Sequence, residues 1–372
     1  MTRVNRATER HHMTPRSLNT LQAGRAVACL AVLLFHTDFI LTLPKYLGRD
    51  IFPIFNAGSA GVQFFFVLSG FVILFVHQKD VDKSSKLAEF LWKRFRRVYP
   101  TLWIVLLLII PVYLLVPSYG TGKEHGFGTI VSAFLLSPAP QDYLLKPVWT
   151  LRHEVLFYLI FSVSIWRRRI GFAAGGIWIA LCAIVPWFHL DFPWSFFFSS
   201  NHLLFVFGML ACLAFKSAQV PRSAALIATV AGAIAFANVW FADLHQVLPL
   251  RDALNVLYGL AAALMVLGLA VLERDWGLRV PGALTFLGEA SYSIYLVHFP
   301  ALSAAVKVTL TLNKLVRAPD SIVFITAASA ALVAGVLFHL AIERPLMLQL
   351  AKPRKLRERS VIPVAAPSSR SV

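Results

Sequence analysis

Two ionisable residues, Arg25 and His36, lie inside one long apolar stretch of the chain. On an α-helix eleven residues make three turns plus about 20°, so the two side chains would share one face, about 16 Å apart along the axis. A histidine in such a place can act as a base, and an arginine can hold an anionic group. The alternative interpretation is that Arg25 extends to the membrane interface while His36 is a hydrogen-bonded packing residue.

A basic cluster occupies the stretch RFRRVYP at residues 94–100, where Arg94 and Arg97 are three positions apart and share a helix face. Pro100 is typical of the first turn of a helix, so the pattern predicts that both arginines lie beside a helix N-terminus. Guanidinium groups at the positive end of a helix dipole favour phosphate binding. Alternatively, the cluster follows the bias of basic residues towards cytoplasmic ends and contacts lipid headgroups.

One acidic residue, Glu154, stands in the stretch PVWTLRHEVLFY, just inside the outer end of an apolar run. Ionisable groups within a membrane span are costly and tend to face a cavity, which favours a functional role for this carboxylate. The alternative is that the adjacent Arg152 and His153 neutralise it at the membrane interface.

A polar stripe is predicted in the stretch SYSIYLVHFP, where Tyr292, Tyr295 and His298 follow one another at intervals of three residues. Such a stripe in a membrane span faces either a lumen or a hydrogen-bonding partner helix. The three cysteines, Cys29, Cys182 and Cys212, are in apolar segments without metal-type spacing, so the sequence predicts neither a disulfide framework nor a metal site.

The elements that carry these residues are apolar runs long enough to cross a membrane. The chain has 372 residues, of which 58% are hydrophobic and 14% charged, and its mean hydropathy is +0.69. We predict an all-α polytopic bundle of about ten transmembrane helices. The predicted spans lie near residues 18–43, 57–76, 98–117, 148–166, 170–190, 196–215, 223–242, 253–272, 283–306 and 321–342.

The basic residues predict the orientation of this bundle. The formal net charge is +17, and most of the 35 Lys and Arg residues fall on the side that holds both termini. That side is therefore expected to be cytoplasmic. No basic stripe alternates with stacking aromatics on a soluble domain, so nucleic acid is not an expected partner. Residues 1–17 would form a basic N-terminal tail, 18–345 the transmembrane domain and 346–372 a basic, disordered cytoplasmic tail.

The ordered set of motifs resembles the acyltransferase-3 family of bacterial membrane acyltransferases, in its stand-alone form and closest to the exopolysaccharide and O-antigen acetylase branch. The matching pieces are the Arg25–His36 pair, GVQFFFVLSGF, Arg94-x-x-Arg97, WTLRHEVLFY, SYSIYLVH and a terminal ERP. They extend over residues 25–345, and their order is more specific than any one of them.

The resemblance implies transfer of an acyl group, usually acetyl from cytoplasmic acetyl-CoA, to a hydroxyl of an extracytoplasmic saccharide such as exopolysaccharide or its lipid-linked unit. It implies a bacterial inner-membrane protein, with polysaccharide synthesis or export machinery as a candidate partner. His36 would be catalytic, either deprotonating the sugar hydroxyl or accepting the acyl group first. Glu154, near the acceptor side, is the second expected catalytic residue and would orient the imidazole or the sugar hydroxyl. The remaining expected site residues are Arg25, Arg94 and Arg97 for the donor, and Trp149, Tyr292, Tyr295 and His298 for the acceptor or pore lining.

Two rival functions remain open at this stage. The first is a transporter whose intramembrane Arg, His and Glu side chains line a permeation path. The second is a non-catalytic membrane partner of a polysaccharide synthase, for which loss of His36 would leave glycan acylation intact.

Overall fold

The computed structural model describes residues 18–116, 126–140, 144–217, 219–248 and 250–351. Within these ranges the chain is helical and contains no strand. Ten of its helical segments are long and apolar enough to cross a membrane, which confirms the all-α polytopic bundle and the number of spans. The chain is therefore a multi-pass membrane protein.

Thirteen α-helices are found within the described ranges. Their bounds are α1 Asn19–Leu41, α2 Gly61–His77, α3 Leu87–Leu115, α4 Phe127–Leu135, α5 Val148–Trp166, α6 Arg168–Ile184, α7 Trp194–Phe197, α8 Asn201–Ser217, α9 Arg222–Leu244, α10 Arg251–Trp276, α11 Gly282–Val316, α12 Asp320–Phe338 and α13 Arg344–Ala351. A 3-10 segment, Pro53–Ala60, leads into α2, and a π-turn, His339–Glu343, joins α12 to α13. We call the end where α1 begins and α13 ends the terminal face, and the other end the opposite face.

The start of the third span differs from the expectation. Helix α3 begins at Leu87, and Pro100 lies in its interior instead of its first turn. Arg94 and Arg97 are therefore not beside a helix N-terminus, and the helix-dipole argument for a phosphate site at these residues is wrong. The reason is that residues 87–97 contain good helix formers that extend the span, while an interior proline is tolerated in membrane helices.

The link before the fourth span contains a short helix, α4, which covers most of the stretch IVSAFLL. It lies against α3, since Trp103 Nε1 donates to Phe134 O at 2.8 Å and the Tyr99 hydroxyl donates to Leu135 O at 3.1 Å. Its nine residues are too few to span a bilayer, as expected. At the other end of the chain, helix continues to Ala351, past the expected boundary at 346, and residues 352–372 lie outside the described ranges.

Helix α1 is central and packs on α11, α2, α10 and α12. Its contact with α11 is close because a Cβ atom at Gly288 would lie only 2.0 Å from the carbonyl oxygen of Gln22. Gly70 of α2 similarly leaves no room for a side chain against Phe205 O of α8, at 1.9 Å. This confirms that the Gly- and Phe-rich second span serves close helix packing.

The position of α1 along the bundle axis is set at both of its ends. The Glu273 carboxylate of α10 accepts hydrogen bonds from the backbone N–H groups of Asn19 and Thr20, each at 2.7 Å, and so caps a helix whose own N-cap residue, Leu18, provides no side-chain bond. Near the opposite face, Asp38 Oδ1 accepts hydrogen bonds from the backbone N–H groups of Ile51 and Phe52, each at 3.0 Å. These contacts hold the helix that carries Arg25 and His36.

Candidate functional site

A pair of histidines joins α1 to α11. His36 Nδ1 lies 3.0 Å from His298 Nε2, and His298 Nδ1 lies 2.7 Å from the carbonyl oxygen of Tyr295. Because a carbonyl only accepts, His298 Nδ1 carries the proton and His298 Nε2 accepts from His36 Nδ1–H. The lone pair of His36 is thereby placed on Nε2, the nitrogen that a base or a nucleophile would use.

Aromatic rings and one cationic side chain lie beside this histidine pair. The Phe299 ring meets the His36 ring edge-on, with centroids 5.5 Å apart. The Lys146 ammonium lies 5.8 Å from the centre of the Phe299 ring and 4.3 Å from that of Phe39. A positive charge therefore stands beside the histidine pair, and sequence reasoning did not single it out.

Arg25 lies on the same face of α1 as His36, as the spacing predicted, because both side chains meet α11. The Nε and Nη2 atoms of Arg25 donate to Ser291 Oγ at 3.1 and 3.0 Å. Two N–H groups on one hydroxyl orient the guanidinium within the bundle, so this arginine does not simply extend to the interface. Arg25 also interacts electrostatically with the charged side chains of Arg97, Glu154 and Glu343.

Arg97 is held by a buried carboxylate from the last span. Its Nη1 atom lies 2.8 Å from Glu343 Oε1, and its guanidinium lies 4.9 Å from the centre of the Tyr292 ring. The other oxygen of Glu343 accepts from Ser293 Oγ at 2.6 Å and faces His339 Nδ1 at 2.8 Å. The glutamate belongs to a π-turn, a feature often found at functional sites.

Glu343 is a candidate site residue that sequence reasoning missed, because the stretch ERP was noted only as the last piece of the motif set. A signal was present, since this glutamate is an acidic group at the end of an otherwise apolar span. Its side chain is only 2% exposed, which an unpaired carboxylate would not tolerate.

Arg94 contacts different groups from Arg97, although the two share a helix face. Its Nη2 atom lies 3.2 Å from His77 Nε2, and His77 Nδ1 lies 2.8 Å from Asp80 Oδ2. Its guanidinium also lies over the rings of Phe90 and Tyr158, at 5.7 and 5.6 Å. A chain from α2 through α3 to α5 thus positions this arginine.

Glu154 is placed inside the bundle by hydrogen bonds from two hydroxyl groups. Ser69 Oγ donates to Glu154 Oε1 at 3.1 Å, and the Tyr158 hydroxyl donates to the same oxygen. The neighbouring basic side chains have partners elsewhere: Arg152 Nη2 donates to Ser132 Oγ at 3.1 Å, and His153 Nδ1 faces His202 Nε2 at 2.9 Å. His36 is hydrogen-bonded to His298 and to the backbone of Val32, so Glu154 is not the group that orients this imidazole in the structure.

The stripe on α11 makes hydrogen bonds between helices, one of its two expected roles. The Tyr292 hydroxyl donates to Val98 O of α3 at 2.6 Å, and the Tyr295 hydroxyl lies 2.8 Å from Thr150 Oγ1 of α5. Trp149, expected to face the acceptor, contacts the rings of Phe66 and His153. The stripe therefore links α1, α3 and α5 around α11.

These contacts form one polar column through the bundle. Arg25, Arg94, Arg97 and Glu343 lie towards the terminal face, and the His36–His298 pair towards the opposite face. In the described part of the chain, no three His, Cys, Asp or Glu side chains are grouped to hold a metal ion, and Cys29, Cys182 and Cys212 are buried with free thiols. The column has imidazole groups near one end and guanidinium groups near the other.

Comparison with known proteins identifies the family to which this arrangement belongs. An acyltransferase domain of the acyltransferase-3 type matches residues 18–344. The exopolysaccharide production protein ExoZ of Rhizobium meliloti (strain 1021) is 30% identical over 308 residues, covering 79% of this chain and 90% of that protein. The acyltransferase MdmB of Streptomyces mycarofaciens is 28% identical, with 92% and 95% of the two chains covered.

A more distant relative has a larger chain. The peptidoglycan O-acetyltransferase OatA of Listeria monocytogenes is 23% identical over 75% of this chain and 48% of its own length. No solved structure matches the chain significantly. The match over nearly all of the transmembrane region, together with its O-acetyltransferase relatives, shows that the chain belongs to the acyltransferase-3 family and is a membrane O-acyltransferase.

Proposed function

We propose that this enzyme transfers an acetyl group from cytoplasmic acetyl-CoA to a hydroxyl of a saccharide on the other side of the inner membrane, with both termini in the cytoplasm. The observation that carries this proposal is the placement of a histidine pair and an arginine cluster at different depths of one polar column. The names of two relatives, an exopolysaccharide production protein and a peptidoglycan O-acetyltransferase, support a saccharide acceptor.

His36 is the proposed base. Its Nε2 atom removes the proton of the sugar hydroxyl as that oxygen attacks the thioester carbonyl carbon. The carbon–sulfur bond then breaks, and the CoA thiolate takes the proton from His36. His298 Nε2 accepts a hydrogen bond from His36 Nδ1–H throughout the reaction. This bond holds His36 in the tautomer whose Nε2 is unprotonated before the proton transfer.

The same nitrogen also allows a route through a covalent intermediate. In that route His36 Nε2 attacks the thioester first, CoA leaves, and the sugar hydroxyl then takes the acetyl group from the imidazole. Rapid quenching with radiolabelled acetyl-CoA in the absence of glycan distinguishes the routes, because only the second leaves acetyl bound to the protein.

The arginine cluster is the proposed site for the donor phosphates. Arg94 and Arg97 are each oriented by protein groups, His77 and Glu343 respectively, so their guanidinium planes are set before the donor binds. The side chain of Arg97 remains 33% exposed, which leaves room for an incoming anion. Arg25, held by Ser291 of α11, lies towards the same face as these groups and adds a further cation for the donor.

The decisive experiment is in vitro transfer with purified protein in lipid nanodiscs. Radiolabelled acetyl-CoA is supplied with surface glycan isolated from cells that lack the gene, and the product is located by mass spectrometry. Wild-type protein should acetylate the glycan, and the rate of transfer by His36→Ala should be ~10²–10⁴-fold lower.

His245→Ala is the matched control, since His245 is exposed beyond α9 and away from the column. Its rate should equal that of the wild type. Acetylation by His36→Ala at the wild-type rate would remove His36 from the mechanism, and flux of glycan without acyl transfer would favour a transporter.

A further inference from the structure

Lys146 is a cationic residue beside the histidine pair, and it has no role in the mechanism proposed above. It directly precedes Pro147, whose carbonyl oxygen accepts from Thr150 Oγ1 at 2.9 Å at the start of α5. Thr150 in turn meets the Tyr295 hydroxyl, one helical turn from His298. The backbone that carries Lys146 is therefore fixed to the same framework as His298.

Among the residues that the structure describes, two aromatic rings and no acidic side chain contact the Lys146 ammonium. It lies over Phe39, which is one turn beyond His36 on α1, and over Phe299, which packs edge-on against the His36 ring. Cation–π attraction of this kind is modest, about 0.5–2 kcal/mol. Ring faces do not neutralise the cation as a carboxylate would, so its charge remains available to a substrate.

The charge also acts on His36 itself, since Lys146 and His36 are close enough for electrostatic repulsion. A cation beside a general base makes proton uptake by that base less favourable, and this cost arises as His36 removes the proton of the hydroxyl. This cost is offset when the reaction creates a negative charge nearby. In acyl transfer that charge develops on the carbonyl oxygen of the tetrahedral intermediate.

We propose that Lys146 is a catalytic residue whose ammonium group stabilises the oxyanion of the tetrahedral intermediate formed at His36. This inference rests on the proposed acyl transfer. As the hydroxyl oxygen bonds to the thioester carbon, the carbonyl electron pair moves onto oxygen beside Lys146. When the carbonyl re-forms and the carbon–sulfur bond breaks, the negative charge passes to the CoA sulfur, which His36 protonates.

The location of Lys146 predicts a pH signature. Partial burial lowers the pKa of Lys146 below that of an exposed lysine. The lysine is charged below this pKa, so its contribution is complete at low pH and is lost as the pH rises through the lowered value. The titratable groups that share its surround are His36 and His298, which would limit activity on the acid side by protonation.

The test compares Lys146→Met, Lys146→Arg and the control Lys45→Met in nanodiscs, with acetyl-CoA and the isolated glycan. Lys45 is an exposed lysine in the segment that follows α1, so its replacement removes the same charge without touching the histidine pair. Lys146→Met should lower kcat by about 10²-fold, the effect typical of one oxyanion contact, with KM for glycan within a few-fold of the wild type. Lys146→Arg should retain most of kcat and extend the alkaline limb to higher pH, because a guanidinium does not titrate there.

Hydrolysis of acetyl-CoA to acetate and CoA, measured without glycan, separates this role from acceptor binding. Lys146→Met should slow that reaction as well, because it passes through the same oxyanion. A rise in KM for glycan with unchanged kcat and unchanged hydrolysis would overturn the proposal in favour of acceptor binding. An unchanged alkaline limb in Lys146→Arg would also contradict it.

The outcome is independent of the broader proposal. If His36→Ala abolishes transfer while Lys146→Met has wild-type kcat, the oxyanion role fails and the acyltransferase mechanism stands. If wild-type protein transfers no acetyl group from acetyl-CoA, the proposed donor fails first.

Discussion

His298 Nε2 lies 3.0 Å from His36 Nδ1, so two histidines from helices distant in sequence form one hydrogen-bonded unit. The carbonyl oxygens of Tyr295 and Ile294 face the other nitrogen of His298, at 2.7 and 3.2 Å. The backbone of α11 thereby determines the tautomer of a residue on α1. In a triad a carboxylate usually does this, whereas here a neutral imidazole orients the base without adding negative charge.

The first prediction concerns this pair. His298→Ala should lower kcat by roughly 10–10²-fold, less than His36→Ala, because the base remains but loses its fixed tautomer and orientation. His298→Gln, which can still accept from His36 Nδ1–H through its side-chain oxygen, should recover part of the loss. The rates are measured by acetyl transfer in nanodiscs, and a wild-type kcat in His298→Ala would show that His36 needs no orienting partner.

The second prediction concerns the donor. Arg94→Lys should weaken CoA binding, because lysine lacks the planar fork that contacts phosphate oxygens in pairs. Isothermal titration of CoA at two salt concentrations measures the change. Arg169→Lys is the matched control, since Arg169 is an exposed arginine in the first turn of α6. Equal affinities for wild type and Arg94→Lys, insensitive to salt, would leave Arg94 with only a topological role.

The third prediction concerns the ion pair of Arg97 with the buried carboxylate of Glu343. Removal of one partner of a fully buried ion pair typically costs about 3–5 kcal/mol, because the other charge is left without compensation, and the partial exposure of Arg97 lowers this cost for Glu343→Ala. Arg97→Ala and Glu343→Ala should each lower the thermal midpoint, and the double variant should lose less than the sum of the two.

A control for this cycle is the surface pair of Lys93 and Glu89, joined at 2.6 Å on the exposed part of α3. The same replacements there should hardly move the midpoint, since solvent screens such pairs. Additive losses at Arg97 and Glu343 would mean that the two residues stabilise the bundle independently.

The fourth prediction concerns orientation, on which the assignment of donor and acceptor sides depends. After replacement of the three native cysteines by alanine, a cysteine at Ser84 should be protected from a membrane-impermeant thiol reagent in intact cells. A cysteine at Arg317, the exposed link between α11 and α12, should react. Ser118 is also expected to be accessible, although it lies outside the described residues. The reverse labelling pattern would place the arginine cluster in a compartment without CoA.

Several features of this protein follow from sequence alone. The ten spans depend on the number and length of apolar runs, and a bilayer requires about 20 apolar residues per helix whatever the packing. The common face of Arg25 and His36 and the stripe of Tyr292, Tyr295 and His298 depend only on the helical repeat. The motif order also sufficed to indicate the family.

Other features required the tertiary structure. Pro100 indicated the start of a helix, but the helix-forming residues before it extend α3 back to Leu87. The helix propensity of these residues therefore outweighed the position of the proline. The pairing of His298 with His36 and of Glu343 with Arg97 joins residues more than two hundred positions apart. The helical repeat determines which side chains share a face of their own helix. The helix that this face meets is decided by close packing between helices, such as that of Gly288 against Gln22. The order of the helices in space does not follow from their order in the sequence.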